Sequence, residues 1–454
     1  MLVKKAKKGK WYLSSEISNS GLIPRMAAWD VLQSVASGAY ADIALDRALS
    51  KYSMSEIDKG LFTELSYGAI RQRYYLDCWI NYLADLSADR QPPLLRWLLH
   101  VGLYQIFKMA RIPDSAAVNT TVELSKKNNM TNLSPVVNAL LRKALRLRDA
   151  GEGLPLPKDT CTRLAQNYSL PFWLATELIA LRGEESAESV ASAFNRTPFC
   201  DLRVNGIKTS LSNLKQLFIA KGIEANPING LHNGLVIKSG LGDIRHWPGF
   251  EGGLWSVQDR SSQWVSTLLE VESGNRILDA CAAPGGKATH LAELISDRGE
   301  IWAVDRSAKR LKKVAENASR LGLTSLNFLA HDASKLLEIK PQWSGYFQKI
   351  LIDAPCSGLG TLARHPDARW RMSLRKINDL VVLQKQLLEG ILPLLSRGGR
   401  IVYSTCTFHP EENQYQIDRF LKLYPELTLV FQKQIWPGED ILGDGFYAAV
   451  LDKN

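Results

Sequence analysis

The segment 276–305 constrains the fold more than any other part of the chain. A short apolar run ends in Asp279, small residues fill positions 280–286, and a helix-like run follows. This order predicts a strand, a tight turn and a helix, in which a ligand can approach bare backbone at the helix N-terminus. The next apolar run ends in Asp305, twenty positions after Gly285, close to the ~20-residue distance at which an acid meets a ribose hydroxyl. The segment therefore predicts a site for a nucleoside-containing cofactor.

The missing residues of this loop narrow the choice of cofactor. The loop has no G-x-G-x-x-G pattern, which disfavours a dinucleotide. A phosphate-binding loop also fails, because Cys281 holds its first glycine position and Ala288 its last. S-adenosylmethionine is a nucleoside-containing cofactor that has a ribose and no phosphate, so the loop is compatible with it. The plainer alternative is that Pro284, Gly285 and Gly286 form only a turn.

Length and charge predict several domains and a polyanionic partner. The 454 residues suggest two to four domains at about 150 residues each. No apolar stretch reaches the ~20 residues that span a bilayer, and six scattered cysteines suggest neither a disulfide framework nor a metal site. Of the net charge of +10, +8 lies in residues 1–150, with 21 Lys+Arg against 13 Asp+Glu. This charge favours nucleic acid as a partner, although a solubilising surface is the alternative.

The first third of the chain has helical periodicity. Apolar residues recur at spacings of three and four from Pro24 to Arg148, Ser55 begins a capping box, and Pro92-Pro93 and Pro113 mark helix starts. After a basic tail, 1–20, we expect an all-α bundle over residues 21–150. Through residues 25–32, 65–73 and 136–142, this bundle resembles the NusB-like RNA-binding domain. The resemblance implies RNA binding and no active residues.

The rest of the chain alternates between strand-like and helix-like runs. Residues 151–249 predict linker helices, with a break near Gly183, and a small α+β module. Residues 250–454 predict an α/β, Rossmann-like domain, because strands near 276–279, 300–305, 325–330, 349–353 and 400–404 alternate with helices. Ligands of such a sheet bind beyond the carboxyl ends of its strands. His365, Arg369, Trp370 and Arg371 could either contact a substrate there or cap a helix.

Acids and cysteines cluster at these predicted strand ends. Asp279, Asp305, Asp332 and Asp353 end or follow four strands. One such Asp is more often a helix cap, but four on one sheet edge indicate a site. Cys356 and Cys406 directly follow two strands. A lone cysteine is usually buried packing, whereas two facing one cofactor predict covalent catalysis.

A cysteine thiolate would be needed if the methyl acceptor were carbon 5 of cytosine. Carbon 5 of cytosine is a poor nucleophile, and adding a thiolate to carbon 6 places electron density on carbon 5, which can then attack the sulfonium methyl. Removal of the carbon 5 proton and expulsion of the thiol complete the reaction. Spacing alone leaves open which cysteine attacks.

Residues 250–454 resemble the Sun/Nop family of RNA 5-methylcytosine methyltransferases. The resemblance is carried by residues 258–262, 279–287, 304–305, 332, 353–358 and 404–407. It implies that Cys406 is the nucleophile, that Cys356 assists release of the adduct, and that Asp353 hydrogen-bonds and helps protonate the base. Lys287 is expected near the reacting groups. The predicted cofactor contacts are Cys281, Ala282, Ala283, Pro284, Gly285, Gly286, Lys287, Asp305, Arg310, Asp332 and Asp353.

The two resemblances together imply an S-adenosylmethionine-dependent methyltransferase that modifies a cytosine in 16S ribosomal RNA. We expect a cytoplasmic monomer with no metal and with neither DNA nor membrane as a partner. Three alternatives stay open: a non-enzymatic RNA-binding or assembly factor, a nicotinamide-dependent reductase and a DNA methyltransferase.

Overall fold

The computed structural model describes residues 21–237, 242–439 and 443–454. The predicted basic tail, 1–20, lies outside the described residues. The chain divides into two compact units, Met1–Leu156 and Pro157–Asn454. Within the described ranges, no helix is both long enough and apolar enough to cross a membrane.

The first unit is the predicted helical bundle. Its α-helices are α1 Leu22–Ala36, α2 Ala41–Lys51, α3 Glu56–Arg71, α4 Arg73–Leu83, α5 Pro93–Lys108, α6 Asp114–Lys127 and α7 Ser134–Asp149. The Ser55 side chain accepts a hydrogen bond from the Asp58 N–H at the start of α3, and Pro93 opens α5. Both helix starts follow the capping signals in the sequence. Helix α7 buries Val137, Leu140, Leu141 and Ala144, one stripe at helical spacing, with basic side chains on its exposed face.

The second unit begins with a small helical and antiparallel part. Helices α8 Thr160–Tyr168 and α9 Phe172–Ala193 come first, and Gly183 interrupts α9 with a φ of 73°. An antiparallel sheet in the order β2-β3-β1-β4 follows. It contains β1 Cys200–Val204, β2 Ala225–Pro227, β3 Gly234–Ile237 and β4 Trp255–Val257, with α10 Leu211–Ile219. Strand β4 was not predicted, because three residues are too few to show a period.

A seven-stranded sheet forms the rest of the second unit, in the order β10-β11-β9-β8-β5-β6-β7. Its strands are β5 Arg276–Asp279, β6 Glu300–Asp305, β7 Leu326–Ala330, β8 Phe347–Asp353, β9 Leu395–Thr405, β10 Leu427–Ile435 and β11 Phe446–Lys453. The helices around it are α11 Arg260–Thr267, α12 Gly286–Leu294, α13 Ala308–Leu321, α14 Leu336–Ile339, α15 Ala368–Arg371, α16 Leu374–Ile391 and α17 Gln414–Leu423.

The sheet is mostly parallel, and its last two strands are antiparallel. Strands β5 to β9 pair in parallel as predicted. Strands β10 and β11 were missed, and β11 pairs antiparallel with β9. Most of β11 is an unbroken buried run, and such a run shows no alternation by which a strand could be recognised. The parallel pairing aligns the carboxyl ends of β5, β6, β8 and β9 along one edge, where the site lies.

Candidate active site

A cavity of about 260 Å³ opens at this edge of the sheet. Seven predicted site residues line it: Cys281, Ala283, Asp305, Arg310, Asp353, Cys356 and Cys406. The structure thus brings both strand-end cysteines into one cavity with Asp305. Ala282, Pro284, Gly285, Gly286, Lys287 and Asp332 do not line the cavity.

The glycine loop between β5 and α12 is shaped by a close backbone approach. Gly285 has a φ of 106°, in the left-handed region, and caps α12. A Cβ at this position would lie 2.8 Å from Cγ1 of Val314. Only glycine relieves both the strain and the contact. Arg310 donates from Nη2 to the Ala283 carbonyl and so holds the loop from the side of α13.

The predicted acids differ in their surroundings. Asp305 accepts the Ser307 N–H at 2.9 Å and pairs with Arg310 Nη1 at 3.3 Å. Asp332 accepts from the Ser334 N–H and hydroxyl and pairs with Arg306. Although burial acts to raise the pKa of Asp332, these hydrogen bonds and the guanidinium lower it below its ordinary value.

Asp279 is fully buried at the end of β5. Neither of its carboxylate oxygens makes a hydrogen bond of ordinary geometry within the described residues. Burial, followed by the charge of Asp353, raises its pKa to about 7, against a lowering influence of Lys287. Its chain neighbours Ala280 and Cys281 line the cavity, so a cationic ligand bound there would favour the ionised form of this buried acid.

The two cysteines face each other directly. Their Sγ atoms are 3.2 Å apart, and the Cys406 N–H donates to the Cys356 sulfur at 3.3 Å. The hydrogen bond with Cys406 and burial raise the pKa of the Cys356 thiol well above its ordinary value. Asp353, also on the cavity wall, accepts from the Ser404 hydroxyl at 3.1 Å and pairs with Lys287 Nζ at 2.7 Å.

Several residues near the cavity were missed by sequence reasoning. Arg306 and His331 line it and directly neighbour predicted acids, a signal that could have been used. Leu383 and Leu387 of α16 also line it, but their spacing is that of any core-facing helix.

Two arginines outside the cavity serve the structure. Arg203 is fully buried and donates to the Gly286 carbonyl at 2.7 Å, to Thr289 at 3.0 Å and to Glu293 at 2.8 and 2.9 Å. It holds the start of α12 from β1. Arg369 is fully buried and donates to the carbonyls of Ser169 and Phe194. The possibility that Arg369 clamps a substrate is therefore wrong.

Family models match three parts of the chain. The model described as 16S rRNA methyltransferase RsmB/F matches residues 266–452. The NusB family model matches residues 23–146, and a ferredoxin-like domain of RsmF/B-like methyltransferases matches residues 170–243.

Curated relatives match most of the chain. The probable ribosomal RNA small subunit methyltransferase B of Synechocystis sp. is 43% identical over 384 residues, which are 85% of this chain and 85% of that protein. The ribosomal RNA small subunit methyltransferase B of Proteus mirabilis is 35% identical over 434 residues, 93% of this chain and 98% of that protein. The chain belongs to the RsmB/F family. It is an S-adenosylmethionine-dependent rRNA methyltransferase, and the predicted family, fold class and cofactor are confirmed.

Solved structures share the RsmB/F architecture. The crystal structure of PH0851 superposes with a TM-score of 0.81 and 27% identity, covering 95% of this chain and 99% of that one. The methyltransferase homolog protein from Pyrococcus horikoshii covers 66% of this chain and is itself covered completely, with a TM-score of 0.59 and 27% identity.

The residues at the cavity fit S-adenosylmethionine. The Asp305 carboxylate stands at the end of β6, the place from which a strand-end acid meets ribose hydroxyls. The buried Asp279 carboxyl, which directly precedes the cavity-lining residues Ala280 and Cys281, suits the positive charges of the cofactor. When bound, the cofactor supplies an electrophilic methyl group on a sulfonium.

Proposed function

We propose that the chain transfers a methyl group from S-adenosylmethionine to carbon 5 of a cytosine in 16S ribosomal RNA through a covalent cysteine adduct. The observation that carries the proposal is the pair of sulfurs 3.2 Å apart, on the wall of the same cavity as Asp305 and Asp353. Methyl transfer to an oxygen or an exocyclic nitrogen requires no thiol, so two opposed thiols favour carbon 5. The names of the relatives support small-subunit rRNA as the substrate.

Cys406 is assigned the attack and Cys356 the release of the adduct. A thiol with a raised pKa keeps its proton and is a poor nucleophile at neutral pH. The Cys356 sulfur lies 3.2 Å from the Cys406 sulfur, so its S–H can donate to that sulfur as the bond to the base breaks. The choice of Cys406 as the attacking sulfur rests on the family resemblance.

Asp353 and Lys287 are assigned to the pyrimidine ring. Attack of the Cys406 thiolate on carbon 6 forms a carbon–sulfur bond and moves electrons toward ring nitrogen 3. We assign the Asp353 carboxyl to hydrogen-bond that nitrogen and to give it a proton, and Lys287, at 2.7 Å, to stabilise the carboxylate that is left. Carbon 5 would then take the methyl group as the bond between that methyl and the sulfonium sulfur breaks, which leaves a neutral thioether. A base, such as a water molecule, takes the carbon 5 proton, the bond between carbon 6 and sulfur breaks to return the Cys406 thiolate, and the nitrogen 3 proton returns to Asp353, which releases 5-methylcytosine.

The helical bundle is assigned to RNA backbone contact. Arg142, Lys143 and Arg146 are exposed on α7. Lysine and arginine contacts to phosphates supply affinity without choosing a base. The target cytosine must leave its stack to reach the cavity, which costs less for a loop base than for a paired one.

The test uses two cysteine variants on 16S RNA transcript with radiolabelled cofactor. We expect Cys406→Ala to abolish both methylation and the denaturant-resistant protein–RNA adduct. We expect Cys356→Ala to accumulate that adduct, because release is blocked. Undiminished methylation by both variants would contradict the covalent scheme, and loss of methylation in both without any adduct would contradict the division of roles. A non-enzymatic assembly factor would show no transfer in the unmodified chain.

A further inference from the structure

Two adjacent residues behind the cavity contact the two cysteine loops: Glu412 bonds mainly to Ser357, and also to Thr407, while Asn413 bonds to Thr405 and Thr407. We infer that Glu412 and Asn413 are positioning residues, Glu412 chiefly for the loop of Cys356 and Asn413 for the loop of Cys406. This inference rests on the proposed function. Neither residue lines the cavity, so neither is a catalytic residue.

Glu412 holds the residue that follows Cys356. Its carboxylate accepts the Ser357 N–H at 2.9 Å and also the Ser357 hydroxyl. Gln384 donates to the same carboxylate at 3.0 Å and to the Pro355 carbonyl at 3.0 Å. The residues on both sides of Cys356 are therefore tied, directly or through Gln384, to one buried carboxylate.

Asn413 holds both residues that flank Cys406. Its Oδ1 accepts the Thr405 hydroxyl at 2.6 Å, and its Nδ2 donates to the Thr407 carbonyl at 3.0 Å. The amide thus spans the turn at whose tip the sulfur lies. An aspartate cannot replace it, because a carboxylate has no donor for the Thr407 carbonyl.

These hydrogen bonds matter energetically because the residues that make them are buried. Glu412, Asn413, Thr405 and Thr407 are fully buried, and Ser357 is 2% exposed. A buried carboxylate is costly to keep unless it accepts hydrogen bonds, and nothing on the cavity wall requires an acid at position 412. The two loops also meet through the bond between the Ser357 and Thr407 hydroxyls at 2.8 Å. Because residues 412 and 413 are neighbours in the chain, they fix the two cysteine loops against one rigid point.

The consequence is a defined distance between the two sulfurs. Attack and release act on the same cytosine, so both sulfurs must keep their places relative to one base. Misplacing a reacting group by an ångström costs about 100-fold in rate. Loss of the Glu412 contacts should impair release, and loss of the Asn413 contacts should impair attack.

The experiment compares Glu412→Gln, Asn413→Ala and a control, Glu411→Gln, in the full chain. Glu411 is the half-exposed neighbour and pairs with Arg419 outside this network. The readouts are turnover on 16S transcript and the fraction of protein in the denaturant-resistant RNA adduct. We expect both test variants to lose about 100-fold in turnover, with adduct accumulating in Glu412→Gln and scarce in Asn413→Ala. The control should match the unmodified chain.

A second readout needs neither RNA nor cofactor. Diamide oxidises two nearby thiols to a disulfide and is itself reduced to the hydrazine, and its rate of joining Cys356 to Cys406 reports their approach. We expect this rate to fall at least about tenfold in both test variants, at temperatures below each unfolding midpoint. Glu412→Asp and Asn413→Ser, which keep part of the contacts, should recover part of the rate.

The two readouts separate this inference from the proposed function. If the unmodified chain forms no adduct but the variants still slow the disulfide, the positioning role stands and the covalent scheme is wrong. An unchanged disulfide rate in both variants would overturn the positioning role, as would turnover and adduct levels lowered equally in step with the unfolding temperature.

Discussion

The glycine loop and the two cysteine loops meet at one cavity but are built by opposite means. The glycine loop consists of small residues, and arginines from elsewhere hold its carbonyls: Arg310 that of Ala283 and Arg203 that of Gly286. The cysteine loops are held by the Glu412 carboxylate and the Gln384 and Asn413 amides. Glu412 and Asn413 also bind loop side chains, those of Ser357 and Thr405, whereas Gln384 binds the Pro355 carbonyl and Glu412. The cofactor side thus depends on backbone shape, and the cysteine side on side-chain placement.

This difference separates two kinds of expected effect. Changes on the cysteine side should lower the rate of methyl transfer and leave cofactor binding close to normal. Changes on the glycine side should lower stability and cofactor affinity first. Each substitution below tests whether that separation holds.

Among the substitutions that compare the two sides, the largest effect is expected on the cysteine side, from Asp353→Asn. The amide cannot deliver a proton to the pyrimidine, and buried Lys287 loses its counterion. We expect the single-turnover rate to fall about 1,000-fold, within the range for general acid–base catalysis, with the cofactor Kd changed far less. Ser404→Ala, which removes only the 3.1 Å hydrogen bond to Asp353, is the matched control. A Kd that rises as much as the rate falls would break the comparison.

On the glycine side, Arg203→Met is expected to lower the stability of the fold. The substitution leaves Glu293, whose side chain is 5% exposed, without its bidentate partner. Removing one partner of a buried ion pair is strongly destabilising, and we expect a loss of about 3 kcal/mol in the free energy of unfolding. Denaturant unfolding measures this loss. Arg419→Ala, which breaks an exposed pair with Glu411, should cost at most about 1 kcal/mol; equal losses would count against the role of Arg203.

These two sides also differ in what sequence reasoning could reach. The glycine loop, Asp305 and the cysteines were found because each lies in a short contiguous pattern at a strand end. In the structure, Cys406, Cys356 and Asp305 line one cavity, as predicted. The bundle helices were equally accessible, because their periodicity and caps are local.

The supporting contacts were out of reach for a physical reason. Glu412 bonds Ser357 across 55 positions, and Arg203 bonds Glu293 across 90. In the sequence, Glu411 and Glu412 are two like acids after a proline, and only the fold leaves one half-exposed and buries the other. Strands β10 and β11 were missed on similar grounds, since their pairing partners define them better than their own patterns do.

The backbone conformation of Gly285 is the feature of the glycine loop that the next substitution tests. Gly285→Ala places a Cβ at a φ of 106° and 2.8 Å from Val314. We expect a loss of about 2 kcal/mol in stability and a cofactor Kd raised by roughly tenfold. Gly286→Ala is the matched control, because its Cβ would meet nothing closer than 3.7 Å and its φ is not positive. Similar losses in both variants would show that small size, and not backbone conformation, matters here.

The smallest effect concerns the pH dependence of stability that Asp279 introduces. Its pKa is about 7 in the folded chain, against an ordinary value of 3.8. The folded state therefore holds a proton that the unfolded state has lost, so stability falls as pH rises from about 4 to 7 and levels off above. Between pH 6 and 8 this group alone should change the free energy of unfolding by about 1.4 kcal/mol.

Asp279→Asn isolates this term, because Asp444, whose pKa burial also raises to about 7, remains in both proteins. Relative to Asp279→Asn, the unmodified chain should gain free energy of unfolding as the pH falls from 8 to 6, because only the unmodified chain takes up this proton. Without cofactor, the folded chain favours the protonated form of Asp279. A bound cationic cofactor should instead favour the ionised form, so cofactor binding below pH 7 should release a proton. Calorimetry in buffers of different ionisation enthalpy measures that proton. Binding without proton release would mean that Asp279 supports the glycine loop only as a neutral group, and the contrast with the charged side chains behind the cysteines would then be sharper.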